Sequence, residues 1–170
     1  MNAAVDATHL VFRPMTLPDI PTIMEIEAAA YPHGWSEGIF KDCLRVGYIC
    51  WLAEGLVGVE AYGVMWVAAG EAHILNVCVR PLSQGQGYGR NMMNQLLRLA
   101  HRREAESAFL EVRASNEKAI KLYLSMGFEQ VGVRKAYYPD DDGREDAIVM
   151  SLSLADFIGL PASPGDGRGA

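Results

Sequence analysis

The chain has 170 residues, half of them hydrophobic and 21% charged, with a formal net charge of −6. That length suits one domain with a real core, and the acidic balance argues against direct nucleic-acid binding while leaving a basic protein partner electrostatically favoured. Cys43, Cys50 and Cys78 contain no CxxC pair and leave an odd thiol, which fits a reducing compartment better than a disulfide framework. Residues 1–9 lack the basic and apolar regions of a signal peptide, and no apolar run is long enough for a membrane span, so the expectation is a soluble cytoplasmic protein.

In chain order, residues 1–9 read as a flexible start, residues 10–153 as a single domain and residues 154–170 as a largely flexible tail ending in PASPGDGRGA. Residues 9–13 alternate like a short strand. Thr16, Pro18 and Asp19 open a helix that carries apolar residues at helical spacing over 20–30. Ser36 begins a second helix reaching about Leu44. The runs YICWLAE and VGVEAYGVMWV, parted by Gly55, predict a β-hairpin over 48–65. The run HILNVCV, 73–79, predicts a central strand.

A helix is expected over 88–104 from the spacing of Met92, Met93, Leu96, Leu97 and Ala100. A strand at 108–113 follows, then a helix capped by Asn116 and ending at Gly127. Strands at 129–134 and 147–152 flank a polar loop. The expected class is α/β (α+β), with a mostly antiparallel mixed sheet flanked by helices.

Between the central strand and its helix lies SQGQGYGR, 83–90. Glycines at a helix N-terminus make an anion site, because free N–H groups and the helix dipole face outward. A Walker A loop is excluded: Arg90 stands where its second glycine belongs and no lysine follows, which also removes a mononucleotide binder. A dinucleotide fingerprint fails at the same arginine. The four histidines show no ligand spacing, and an EF-hand register over Asp140-Asp141-Asp142-Gly143 would put Tyr138 where an aspartate is required. No metal is inferred.

The pattern that remains, Gln84-x-x-Gly87-x-Gly89 after a strand and before a helix, resembles the acyl-CoA pyrophosphate loop of the Gcn5-related N-acetyltransferases. The stretch LEVRASN (110–116), AIKLYLSMGF (119–128), Tyr137-Tyr138, GREDAIVM (143–150) and WSE (35–37) is similar to the RimI group of that superfamily, over roughly residues 10–152. The resemblance implies an acyl-CoA N-acyltransferase fold and acetyl-CoA as co-substrate. It also implies an acceptor that is the N-terminal alanine of ribosomal small-subunit protein 18. By the same resemblance Glu111 is the general base and Tyr123 the general acid. Gln84, Gly85, Gln86, Gly87, Tyr88, Gly89 and Arg90 take pyrophosphate. Val77, Cys78 and Val79 offer backbone to pantetheine, Asn116 touches it, and Trp35, Tyr137 and Tyr138 wall the acceptor groove.

The residues also make chemical sense alone. Acetyl transfer to an amine needs a proton acceptor, a polarised carbonyl and a proton for the leaving thiolate. Glu111 alternates with Leu110 and Val112, so it faces away from their side of the strand. A surface ion pair with Arg113 or a neighbouring strand is its other reading. For Tyr123 the other reading is a core aromatic, for Asn116 a plain helix cap, and for Trp35 simple packing. Cys78 beside the thioester invites a covalent intermediate, but a small buried hydrophobe is the expectation. Gly34 stands where many relatives would carry proline. Other expectations remain open: an enzyme acetylating lysine or a small-molecule amine, or a non-catalytic acyl-CoA-binding module, which would have no need of both Glu111 and Tyr123.

Overall fold

The computed structural model describes residues 9–157. Seven strands form one sheet in the order β1-β2-β3-β4-β5-β7-β6. They are β1 (Val11–Pro14), β2 (Ile49–Gly55), β3 (Gly58–Ala68), β4 (Glu71–Val79), β5 (Ser107–Arg113), β6 (Glu129–Asp140) and β7 (Gly143–Ser153). Every neighbouring pair is antiparallel except β4–β5. The helices are α1 (Ile20–Ala30), α2 (Glu37–Val46), α3 (Tyr88–Arg102) and α4 (Glu117–Ser125). The mixed, mostly antiparallel sheet and the element order agree with the expected class.

Two cores divide the helices between the faces. Met92, Met93, Leu96, Leu97 and Ala100 of α3 pack with Ile74, Leu110 and Met150 on one face, joined by Ala119 and Ile120 of α4. Ile20, Ile23 and Ile26 of α1, with Phe40 and Cys43 of α2, pack on Leu52, Tyr62 and Cys78 on the other. α3 lies close to β3, since a Cβ on Gly63 would stand 2.7 Å from Leu96 Cδ1. As the crossover between β4 and β5, α3 is what makes that one pair parallel.

Local signals act where the residues predict. Ser36 Oγ accepts from Ile39 N (3.3 Å) at the start of α2, and Gly47 ends it at φ 83°. Asn116 Oδ1 accepts from Ala119 N (3.2 Å), so it caps α4. Arg13 ties β1 to its surroundings through Asp19 (2.7 Å) and Glu54 (2.6 Å), and this pairing holds the Asp19 carboxyl down at about 2.

Two expectations need correction. The polar loop between the last strands is itself strand: β6 and β7 extend to Asp140 and Gly143, leaving only a tight turn in which Gly143 has φ 130°. The packed body also runs past residue 153, because Leu154 and Phe157 are buried in the first core. The expected flexible segments at 1–8 and 158–170 lie outside the described residues.

Candidate active site

β4 and β5 pair only from Glu71–Ile74 against Ser107–Leu110. Leu75 is then an extra residue in the β3–β4 ladder, since Val64 faces Asn76 while Met65 faces Ile74. After this bulge the two strands part, and a gap opens between Leu75–Val79 and Glu111–Arg113. In an antiparallel strand successive residues turn their N–H and C=O groups alternately to either side. Arg80 N donates to Glu60 O on β3 (2.8 Å), so Cys78 and Asn76 also turn their backbone to β3. Val77 and Val79 therefore face the gap. Two side chains confirm the direction: Tyr31 Oη donates to Val77 O (2.8 Å), and Gln84 Nε2 donates to Val79 O (3.3 Å).

The glycine loop closes one end of this gap. Gly85 and Gly87 have φ 83° and 84°, a left-handed backbone that favours glycine. Gly87 is the N-cap of α3 and supplies no side-chain cap, and Asn91 N is bonded to Gly87 O (3.1 Å). The N–H groups of Tyr88, Gly89 and Arg90 precede the first helical bond and so lack intrahelical carbonyls. Arg90 turns to Ser125 Oγ on α4 (2.6 Å), and a Cβ on Gly89 would meet Leu122 and Val79 only at ordinary contact distance. Ser83 just before the loop is anchored on the buried Glu60 carboxylate.

Along the gap a cleft of about 700 Å³ is lined by Glu111, Asn116, Tyr123, Trp35, Tyr137 and Tyr138 together with Val77. β5 buries alternate residues, and Glu111 falls on the side opposite Leu110 and Val112. Its carboxylate is paired at 2.8 Å with Arg134 Nε of β6, which lies beyond β7, so the ion partner comes from two strands away rather than from Arg113 or an adjacent strand. A hydrogen bond to Glu111 is the main cause that raises the Tyr137 phenol. Tyr138 is pushed up to about 12 by burial and then by the Glu111 charge. Arg113 lies 4.6 Å over the Tyr138 ring, and Arg134 lies 5.4 Å over that of Tyr137.

Adjacent strand residues normally face opposite ways, yet both tyrosines line the cleft. Lys135, Ala136 and Tyr137 stand opposite Asp146 alone, with Ala136 at φ 50° and its N–H on Asp146 Oδ1 (2.8 Å), which breaks the alternation. Tyr123, in the last turn of α4, packs 5.9 Å from Phe128, and burial pushes its phenol up to about 12.

Cys78 separates from its strand neighbours. Its backbone faces β3 and its side chain sits in the α1–α2 core, 2% exposed, with burial raising the thiol to about 11. Cys43 and Cys50 are also buried and raised by burial. At pH 8 a thiol of that pKa is thiolate in about one molecule in a thousand. Iodoacetamide at pH 8 is therefore expected to leave the intact mass and the activity of the native protein unchanged. Rapid labelling of Cys78 in the folded state would contradict this.

Sequence reasoning missed three contributors. Tyr31 takes the Val77 carbonyl. Glu27, 1% exposed, is itself among the residues lining the cleft. His33 Nε2 meets Asp141 Oδ1 at 3.3 Å, joining the 31–36 loop to the β6–β7 turn. A signal existed for the second: Glu27 is seven residues after Ile20 on the buried stripe of α1, and Asn76, its partner, interrupts an apolar run. Tyr31 and His33 act through contacts that no local pattern encodes. Among the described residues no group of His, Cys, Asp and Glu is placed to hold a metal, and no helix is long and apolar enough to cross a membrane.

The sequence profile of the acetyltransferase (GNAT) family matches residues 20–128. The chain belongs to the GNAT family. Among curated GNAT relatives, the [ribosomal protein bS18]-alanine N-acetyltransferase of Escherichia coli K12 is 37% identical, over 81% of this chain and 93% of its own. That of Haemophilus ducreyi is 36% identical, over 80% and 94%. The crystal structure of the Escherichia coli ribosomal-protein-S18-alanine N-acetyltransferase superposes with a TM-score of 0.80 at 33% identity, covering 91% of this chain and 97% of that one. A Salmonella typhimurium protein solved with its cofactor acetyl-CoA shares the GNAT fold at 20% identity, with a TM-score of 0.71 and coverage of 91% and 99%. As a GNAT member, the chain is an acetyl-CoA-dependent N-acetyltransferase.

Proposed function

We propose that this protein acetylates the N-terminal alanine amine of ribosomal protein bS18 in a ternary complex with acetyl-CoA, in the cytoplasm. The observation that carries the reading is the gap itself. It places the free N–H of Val77, the Glu111 carboxylate and the Tyr123 phenol on one cleft, in a chain similar over most of its length to enzymes named for that reaction.

The residues fit acetyl-CoA. The left-handed turns at Gly85 and Gly87 and the uncapped start of α3 offer N–H groups to a pyrophosphate, which needs donors and positive potential. The gap-facing N–H and C=O groups of Val77 and Val79 offer a strand edge to an amide-bearing arm. Bound there, acetyl-CoA supplies an acetyl thioester as the electrophile. The Val77 N–H polarises the thioester carbonyl as negative charge grows on its oxygen. Glu111, held by Arg134, receives the ammonium proton directly or through water, freeing the nitrogen lone pair. Tyr123 hydrogen-bonds the sulfur and gives its phenolic proton to the thiolate when the C–S bond breaks. Asn116 caps α4 beside the arm, and Trp35, Tyr137 and Tyr138 enclose the acceptor's first residues. An N-terminal amine, of reference pKa about 7.7–8.0, needs far less help to lose its proton than a lysine near 10.4.

The test is mass spectrometry with two peptides. One carries the free N-terminus of the organism's own bS18, and the other has that terminus blocked but keeps an internal lysine. One added acetyl group on the first alone is the expected result. Acetylation of the second alone would move the protein among lysine acetyltransferases.

A further inference from the structure

Glu27 is a buried carboxylate that the chemistry above leaves unused. It sits in the last turn of α1, on the apolar stripe of Ile20 and Ile23, and is 1% exposed. No lysine or arginine pairs with it among the described residues. Three neutral donors surround it instead. Tyr62 Oη of β3 donates to Oε2. Asn76 Nδ2 of β4 donates at 3.1 and 3.3 Å, and Trp35 N donates to Oε1 at 3.3 Å. Removing a carboxylate from water is costly, and an aliphatic side chain would fill the same stripe without that cost. The fold alone therefore gives no reason for a charge here.

The donors explain it. Asn76 is the first residue after the Leu75 bulge, where β4 leaves β5 and the gap begins. Trp35 ends the 31–36 loop that walls the acceptor side of the cleft. Tyr62 fixes the carboxylate against the neighbouring strand. One side chain thus ties the acceptor loop to the place where the sheet opens. The loop rests directly on it: a Cβ on Gly34 would stand 2.9 Å from Glu27 Cγ and 3.4 Å from Glu27 O. That contact accounts for glycine at 34, where the sequence resemblance led us to expect proline. A carboxylate accepts from all three donors, whereas a carboxamide has one acceptor oxygen and an NH2 group that only the Tyr62 hydroxyl oxygen can receive, which turns the Tyr62 O–H away from residue 27 and loses one of the three bonds.

We propose that Glu27 is a positioning residue of the acceptor site. It sets the height of the 31–36 loop above the gap, and so governs acceptor binding, while leaving the acetyl-CoA site untouched. This rests on the reading that the cleft receives an N-terminal peptide.

Kinetics of Glu27→Gln, with the bS18 N-terminal peptide as acceptor, test it. The peptide KM is expected to rise about tenfold, the loss of roughly one buried hydrogen bond, while kcat falls less than threefold and the acetyl-CoA dissociation constant stays within twofold. Gly34→Ala, which pushes the loop and its Trp35 N–H off Glu27 without replacing any donor or the carboxylate, is expected to raise the same KM. Adding Asn76→Asp to Glu27→Gln exchanges amide and carboxylate across the pair, and is expected to recover most of the loss. A merely structural role predicts a lowered melting temperature with donor and acceptor affinities falling together, and that pattern would overturn the proposal. An unchanged peptide KM in Glu27→Gln would do so as well. If the unmodified protein fails to acetylate the peptide, the acceptor reading is what fails. Hydrogen exchange then decides the positioning: faster exchange at the Trp35 amide and its loop in Glu27→Gln, with α3 unchanged, sustains it, and unchanged exchange at Trp35 removes it.

Discussion

Tyr123→Phe is expected to lower kcat for acetyl transfer by about 100-fold, with the acetyl-CoA dissociation constant and the melting temperature nearly unchanged. The ring keeps its packing against Phe128, 5.9 Å away, because only the hydroxyl is lost. What disappears is the proton for the departing thiolate. Burial holds this phenol at about 12, so it stays in its acid form throughout the neutral and mildly alkaline range. The sign follows for the unmodified enzyme. Its kcat/KM should rise with pH as the acceptor ammonium ionises near pH 8, then stay level to at least pH 10 with no alkaline fall from Tyr123. Full turnover by Tyr123→Phe across that range would remove Tyr123 from the mechanism, and steady-state rates at several pH values decide the point.

Glu111→Gln is expected to cost about 100-fold in kcat/KM at pH 7, and progressively less by pH 9. The carboxamide keeps the size of the side chain but cannot take the ammonium proton. As solution pH deprotonates the amine, that task vanishes and the defect should shrink. A constant loss at every pH would instead indicate that Glu111 only orients its neighbours, since Arg134 and Tyr137 both depend on it. Arg134→Gln separates the cases further: it leaves a base in place but frees it from its 2.8 Å partner.

Much of this site was legible in the sequence because its signals are local. Gly85 and Gly87 need left-handed backbone, Asn116 needs only the next turn of its own helix, and the outward side of Glu111 follows from strand alternation. The length of β6 was not legible. It is an edge strand with almost every side chain exposed, so polar residues such as Arg134, Lys135 and Asp140 carry no alternation to read. The shared facing of Tyr137 and Tyr138 was hidden for a related reason, since it depends on three residues of β6 standing against one of β7. Tyr31 and Glu27 gain their meaning only when α1 is laid across β3 and β4, a matter of tertiary packing. Their residue types alone are ordinary.

The His33–Asp141 contact bears on how firmly the cleft rim is held. These two side chains, both from residues lining the cleft, meet at 3.3 Å and join the loop before α2 to the β6–β7 turn. Both are exposed, so water and salt screen the contact and it ties the two segments only weakly. That stretch of rim is therefore a clasp that opens at little cost, while the buried contacts of Glu27 and Tyr31 keep the base of the same loop in place.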